Sequence, residues 1–139
     1  MTIKKKLLFL CTGNSCRSQM AEAYGKNYLE NYNVYSAGLE KHGLNPYMLK
    51  VMKEDGYEMQ GHYSKTLNDV KDIDFDVVVT VCGHAGETCP MYLKKARIIH
   101  KGFEDPAQAT GREEEILGQF RKVRDEIKSY IKNELYKII

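Results

Sequence analysis

The sequence predicts an α/β fold, an open four-stranded parallel sheet flanked by helices on both faces. Three observations predict it. Short apolar runs alternate with helix-period stretches along the chain. Val77-Val78-Val79-Thr80-Val81 is β-branched throughout, as a parallel strand covered on both faces would be. The C-terminal stretch repeats apolar residues every three to five positions, as one face of a long helix does. No linker, internal repeat or low-complexity segment interrupts the 139 residues, so one domain over residues 1–139 is expected.

The elements follow in order. Lys4 to Leu10 reads as a buried strand, and Arg17 to about Asn31 as a helix with Met20, Ala23, Tyr24, Asn27 and Tyr28 on one face. Val34-Tyr35-Ser36-Ala37 is a short strand ended by Gly38. Asn45-Pro46 pairs an N-cap residue with a proline at the first helical position; the helix it opens carries Met48, Val51 and Met52 and stops near Gly56. Ser64 to Val70 is weakly patterned and helical. Phe75 to Val81 holds the β-branched strand, and Arg97-Ile98-Ile99-His100 is the fourth. Thr110-Gly111-Arg112-Glu113 fits a capping box, and Ile116, Phe120, Val123, Ile127, Tyr130, Ile131 and Leu135 form the buried face of the last helix.

Composition narrows the function. A formal net charge of +2 argues against bulk nucleic-acid binding, and Lys4-Lys5-Lys6 reads as a solvated edge. No apolar segment approaches the roughly 20 residues of a membrane span. The apolar stretch after the lysines is only about four residues, too short for a signal peptide. A cytoplasmic location is therefore expected, with the four cysteines held reduced and available for chemistry.

The stretch with most chemistry is Cys11-Thr12-Gly13-Asn14-Ser15-Cys16-Arg17-Ser18, placed between the first strand and the first helix. A loop there can aim backbone N–H groups at an anion, and the helix start adds partial positive charge. Arg17 can donate two parallel hydrogen bonds to adjacent oxygens. The same field stabilises a thiolate, so Cys11 is the candidate nucleophile, and Thr12, Gly13, Asn14, Ser15, Cys16 and Arg17 are the candidate oxyanion cradle. Cys16 receives no catalytic role; a disulfide with Cys11 would lie off the reaction path.

Cys82 follows the Val77–Val81 strand directly, and Cys89 lies seven residues later across a small, polar loop. In a parallel sheet Cys82 emerges at the same edge as Cys11, which permits a relay of thiolate attacks. A metal site from Cys82, His84 and Cys89 lacks the paired spacing of common zinc sites, and small buried cysteines without chemistry are the other alternative. Gly102-Phe103-Glu104-Asp105-Pro106-Ala107 follows the fourth strand. Asp105, stiffened by Pro106, is the candidate acid for a departing oxygen, preferred over Glu104 for its shorter stem. His42, His62 and His100 are read as structural or solvent-exposed.

Taken together, Cys11 to Ser18 with Gln19-Met20-Ala21-Glu22, Val34 to Gly38, His42 to Pro46, Cys82 with Cys89-Pro90, Gly102 to Ala107 and Phe120 to Ile127 resemble the thioredoxin-coupled arsenate reductases. These share the low-molecular-weight protein tyrosine phosphatase fold. The resemblance runs nearly the whole length and implies a mechanism. Cys11 attacks arsenate held by the loop and Arg17, Asp105 protonates the departing oxygen, and Ser18 donates a hydrogen bond to the Cys11 sulfur. Cys82 then attacks Cys11, arsenite leaves, and Cys89 moves the disulfide to a surface where thioredoxin reduces it. The resemblance implies no metal or organic cofactor, phosphate and sulfate as substrate analogues, and a monomer.

Two departures stand out. Some members resemble a potassium-binding design in which Asn14, Glu22 and Ser36 are joined by an aspartate near Ser64–Thr66. Here that stretch reads Ser64-Lys65-Thr66, so the Lys65 ammonium is expected in the cation's place. Lys101 stands where many relatives carry an aromatic. The alternative functions are a tyrosine phosphatase of the same fold and an oxyanion- or redox-sensing module without turnover. Against the phosphatase, Asp105-Pro106 is followed by Ala107-Gln108 rather than by tyrosines.

Overall fold

β1 (Lys5–Cys11) is the strand on which the fold is organised: Leu7, Leu8, Phe9 and Leu10 are all fully buried, so side chains on both faces of the sheet are covered. In this computed structural model, which describes residues 4–81 and 95–139, the strands run in the order β2-β1-β3-β4, all parallel. β2 is Tyr32–Gly38, β3 is Val77–Thr80 and β4 is Arg97–His100. The four-stranded parallel α/β architecture expected from the sequence is the one observed.

Register places the chemistry. Cys11 pairs with Gly38, and Leu10 pairs with Thr80, so three strands end together at one edge of the sheet. The Val81 N–H donates to the Leu10 carbonyl, so the chain leaves β3 one step from Cys11. Cys82, His84 and Cys89 lie outside the described residues.

α1 (Arg17–Tyr28) packs on β1 and β2, and α3 (Glu113–Tyr130) packs across both α1 and α2 (Pro46–Glu54). α2 starts where the Asn45-Pro46 pair predicts: the Asn45 side-chain oxygen accepts from the N–H groups of Tyr47 and Met48 at 2.8 and 3.2 Å. α1 ends three residues earlier than the sequence pattern suggests. Pairing of Lys5 with Tyr32 and of Lys6 with Asn33 draws that stretch into β2, and tertiary pairing outweighs local propensity.

Two expectations at α3 need correction. Thr110 caps nothing: the N-cap is Arg112, reached through Gly111 at φ +112°, and it has no side-chain cap. Glu113, Glu114 and Glu115 in the first turn meet the helix N-terminal partial charge instead. The buried face begins at Leu117, with Ile116 only half-buried, then runs through Phe120, Val123, Ile127, Tyr130, Ile131 and Leu135. A π-helical turn over Ile131–Leu135 keeps the last two on that face. The stretch around Ser64 to Val70 is a single 3-10 turn, Leu67–Val70, in which the Asp69 carboxylate accepts from the Thr66 N–H at 2.9 Å.

Replacing Asn45 with alanine orphans two N–H groups at the start of α2. The expected loss is about 1 kcal/mol of stability, read as a lower urea midpoint at unchanged slope.

Candidate active site

The loop from Cys11 to Cys16 is held from outside. Its carbonyls face away from the site and each is engaged: Cys11 by the Leu39 N–H, Thr12 by Glu40, Gly13 by His42, and Ser15 by Asn45. Ser64 Oγ donates to the Gly13 and Asn14 carbonyls at 3.0 and 2.9 Å. Among the described residues, the N–H groups of Gly13, Asn14, Ser15 and Cys16 have no backbone acceptor. A run of such N–H groups leading into the bare N-terminus of α1, whose first turn carries no acid, is an anion cradle.

Gly38 closes the loop from below. A Cβ there would stand 2.7 Å from the Asn14 nitrogen and from the Thr12 and Glu40 carbonyl oxygens, all rigid backbone. Only a glycine lets β2 pass that close to the loop.

Arg17 supplies the charged wall. Its Nη1 donates to the Phe103 carbonyl at 3.0 Å, and its Nη2 lies 3.6 Å from Asp105 Oδ2. Its Nε is buried and has no hydrogen-bond partner among the described residues. Nε and Nη2 are thus the donors left for an oxyanion. Asp105 is held at the start of the 3-10 turn Pro106–Gln108, where its Oδ1 accepts from the Ala107 N–H at 3.0 Å. The structure brings Cys11, Arg17 and Asp105 to one edge, as the sequence order suggests.

Cys11 and Cys16 are both buried. Burial raises the Cys16 thiol far above its ordinary range, the charges of Cys11 and Asp105 raise it further, and Arg17 offsets only part. Cys16 therefore stays neutral in the cradle. Ser18 Oγ accepts from Asn14 Nδ2 at 2.8 Å, which leaves the Ser18 proton for an acceptor of its own.

Behind the loop lies a buried polar network. Asn14 Nδ2 also donates to Ser36 Oγ at 3.0 Å, and Ser36 donates to Glu22 Oε1 at 2.6 Å. Lys65 Nζ lies 3.5 Å from that same Oε1 and donates to the Tyr63 carbonyl at 3.0 Å, while Lys26 Nζ reaches Glu22 Oε2 at 2.9 Å. Burial pushes the Glu22 carboxyl up, but the Ser36 hydroxyl, Lys65 and Lys26 together hold it below the usual glutamate range. The Lys65 ammonium thus stands beside Glu22, while the Lys65 backbone N–H donates to the Asn14 side-chain oxygen at 2.8 Å.

Three groups that support the loop, Ser64, Gln19 and His62, have no chemical signature of their own in the sequence. Gln19 Nε2 donates to the Asn14 side-chain and backbone oxygens and to the Tyr63 carbonyl. Its Oε1 is then an acceptor, so His62 Nδ1, 3.0 Å away, carries the proton. Burial lowers the His62 pKa, with Lys26 and Lys65 adding to it against the pull of Glu22. His62 thus belongs to the loop's support, a role beyond the structural or solvent-exposed one expected of it. His42 pairs with Glu40 at 2.7 Å, and His100 with Thr80 at 2.7 Å. Among the described residues no group of three or more His, Cys, Asp or Glu side chains could hold a metal ion, and no helix is long and apolar enough to cross a membrane.

Residues 6–138 match the family described as low molecular weight phosphotyrosine protein phosphatase. The chain belongs to that family. Within it, the chain is 51% identical over 130 residues to an arsenate reductase of Halalkalibacterium halodurans, covering 93% of this chain and 94% of that one. It is 50% identical over 133 residues to an arsenate reductase of Bacillus subtilis, covering 92% and 93%. Among solved structures, an arsenate reductase in its phosphate-binding state superposes with a TM-score of 0.78 at 33% identity, over 97% of this chain and 99% of that one. An arsenate reductase in its oxidized state gives 0.79 at 32% identity, over the same shares.

Glu22 sets a pH dependence. Its folded pKa is depressed, so its contribution is complete above the ordinary glutamate range and is lost as pH falls through the folded value. Lys65→Met removes one of the groups that lower it, so the folded pKa rises and the loss begins at higher pH. The expected result is an acid-unfolding midpoint shifted upward, with about 3 kcal/mol or less lost at neutral pH because Lys26 remains.

Proposed function

We propose that this protein is an arsenate reductase that works through a three-thiol relay and is re-reduced by thioredoxin. Similarity along nearly the whole chain to proteins named arsenate reductase carries the reading. The loop geometry supports it, with Arg17 Nε buried and unpartnered beside a row of N–H groups. Cys11 attacks As(V), and Asp105 gives its proton to the departing oxygen, leaving a thiol-bound arsenic ester. Cys82 as thiolate attacks the Cys11 sulfur. The S–S bond forms as the S–As bond breaks, and that bonding pair stays on arsenic, which leaves as As(III) arsenite. Cys89 then attacks the Cys82 sulfur and frees Cys11 as a thiolate. Thioredoxin's dithiol reduces the Cys82–Cys89 disulfide and restores the cycle. Two electrons enter as thiols and two leave on arsenic.

In this reading Thr12, Gly13, Asn14, Ser15, Cys16 and Arg17 bind the oxyanion, and Ser18 donates to the Cys11 sulfur. Lys65 does the work of a potassium ion by neutralising Glu22 behind the loop. The protein acts as a monomer in the cytoplasm, where thiols are kept reduced. Phosphate and sulfate fit the same cradle, so slow phosphoester hydrolysis by Cys11, Arg17 and Asp105 accompanies the main reaction. Aromatic phosphoesters gain no stacking wall, because Ala107 and Gln108 follow Pro106.

Arsenate-dependent NADPH oxidation in the presence of thioredoxin and its reductase tests the reading. Turnover is expected in the wild type and lost in Cys11→Ser, Cys82→Ser and Cys89→Ser, with Asp105→Asn slowed by about 10²- to 10⁴-fold. Full turnover in both Cys82→Ser and Cys89→Ser would overturn it. In the same assay, exchanging sodium for potassium is expected to leave the rate unchanged, and strong stimulation by potassium would remove the role given to Lys65.

A further inference from the structure

Lys101 opens the loop that carries the acid, and its main chain is pinned to the sheet: its N–H donates to the Thr80 carbonyl at 2.8 Å, and the Phe103 N–H donates to Val81 at 2.9 Å. Its side chain turns toward the C-terminal end of α3. There the ammonium stands 5.4 Å from the centre of the Tyr130 ring and 5.9 Å from that of Phe103. The two rings meet edge to face at 5.9 Å. Tyr130 is buried in the core, so it is the wall of this three-part stack. Among the described residues no carboxylate stands within ion-pair distance of Lys101, so the ring faces are its partners.

Phe103 is the half-buried member of that stack, and it is also the residue whose carbonyl takes Arg17 Nη1 at 3.0 Å. The direction of that carbonyl decides which edge of the guanidinium faces the cradle. While Nη1 is held, Nε stays buried without a partner among the described residues and Nη2 lies 3.6 Å from Asp105. The Phe103 N–H bond to Val81 fixes one side of this residue, and with Gly102 and Glu104 exposed on either side the packing of its ring is what fixes the turn of its carbonyl.

We propose that Lys101 is a positioning residue for anion binding, whose ammonium clamps the Phe103 ring against Tyr130 and so aims the Phe103 carbonyl that orients Arg17. The proposal rests on the oxyanion reading of the cradle but not on arsenate being reduced. Lys101 touches no substrate, and its effect falls on affinity.

The test measures inorganic phosphate binding to the reduced full-length protein by calorimetry, together with KM and kcat for arsenate. Lys101→Met keeps the apolar stem and removes the charge. It is expected to weaken phosphate binding and raise KM together by about three- to tenfold, the equivalent of one or two exposed cation–π contacts, with kcat nearly unchanged. Lys101→Arg is expected to restore both. In a Tyr130→Leu background, Lys101→Met is expected to add little. An equal loss there would show the charge acting directly on the anion and would overturn the proposal. So would phosphate affinity unchanged by Lys101→Met, or a loss that Lys101→Arg fails to repair. A wild type that binds phosphate and leaves arsenate unreduced would remove the reductase reading and leave this test intact.

Discussion

The backbone of Asn14 is the constraint on which the site depends. At φ +49° it sits in the left-handed region, the one non-glycine residue there among the described residues. An L-residue loses about 1–2 kcal/mol by doing so. The side chain recovers this: Nδ2 donates to Ser18 and Ser36, and Oδ1 accepts from Gln19 and from the Lys65 N–H. Those four bonds exhaust what an amide can make. Each is worth roughly 1 kcal/mol net in a fully buried setting, so the strained turn is held with a margin. Glycine would relieve the strain and lose all four. The reversal of the chain at Asn14 is what turns the neighbouring N–H groups toward one point.

The network also has a direction. Glu22, kept ionised, can only accept, so Ser36 must donate to it and must therefore accept from Asn14. A protonated Glu22 would leave that order undefined. Keeping a carboxylate ionised in a buried place needs compensating charge, and Lys65 and Lys26 supply it. Two ammonium groups against one carboxylate leave the back of the loop with a local charge of +1, by the count 2 − 1. The support of the cradle thus attracts the anion that the cradle binds. A lysine stem tethered by its own chain does this without an ion having to be captured from solution.

Much of this was legible because it is local. The Cys11–Ser18 loop, the Asn45-Pro46 helix start and the Arg97–His100 strand each declare themselves within a few residues. Lys65 near Glu22 was legible only through resemblance, since 43 residues separate them. What stayed hidden was decided at long range or by one-residue slips. Ile116 and Leu117 are equally apolar, and only the packing of α3 onto its neighbours selects Leu117. Thr110 has the capping spacing, but Gly111 starts the turn that delays the helix until Glu113. Gln19, His62 and Ser64 look like ordinary polar residues until the chain folds Gln19 and Ser64 onto the Asn14 carbonyls and His62 onto Gln19.

Arg17 joins these layers, and its bonding is uneven in a useful way. The Phe103 carbonyl holds Nη1 at 3.0 Å, a full hydrogen bond, whereas Asp105 stands at 3.6 Å from Nη2, too far for one. Asp105 is better bonded to its own turn, through the Ala107 N–H. An arriving oxyanion offers Nη2 and the unpartnered Nε charge-assisted bonds near 2.7–2.9 Å, which are stronger than what Asp105 provides there. The guanidinium can therefore pass from carboxylate to anion without losing its anchor on Phe103. Asp105, released from that weak pairing, stays anchored by its own turn beside the anion it has been exchanged for, which is the placement that the proposed acid role requires.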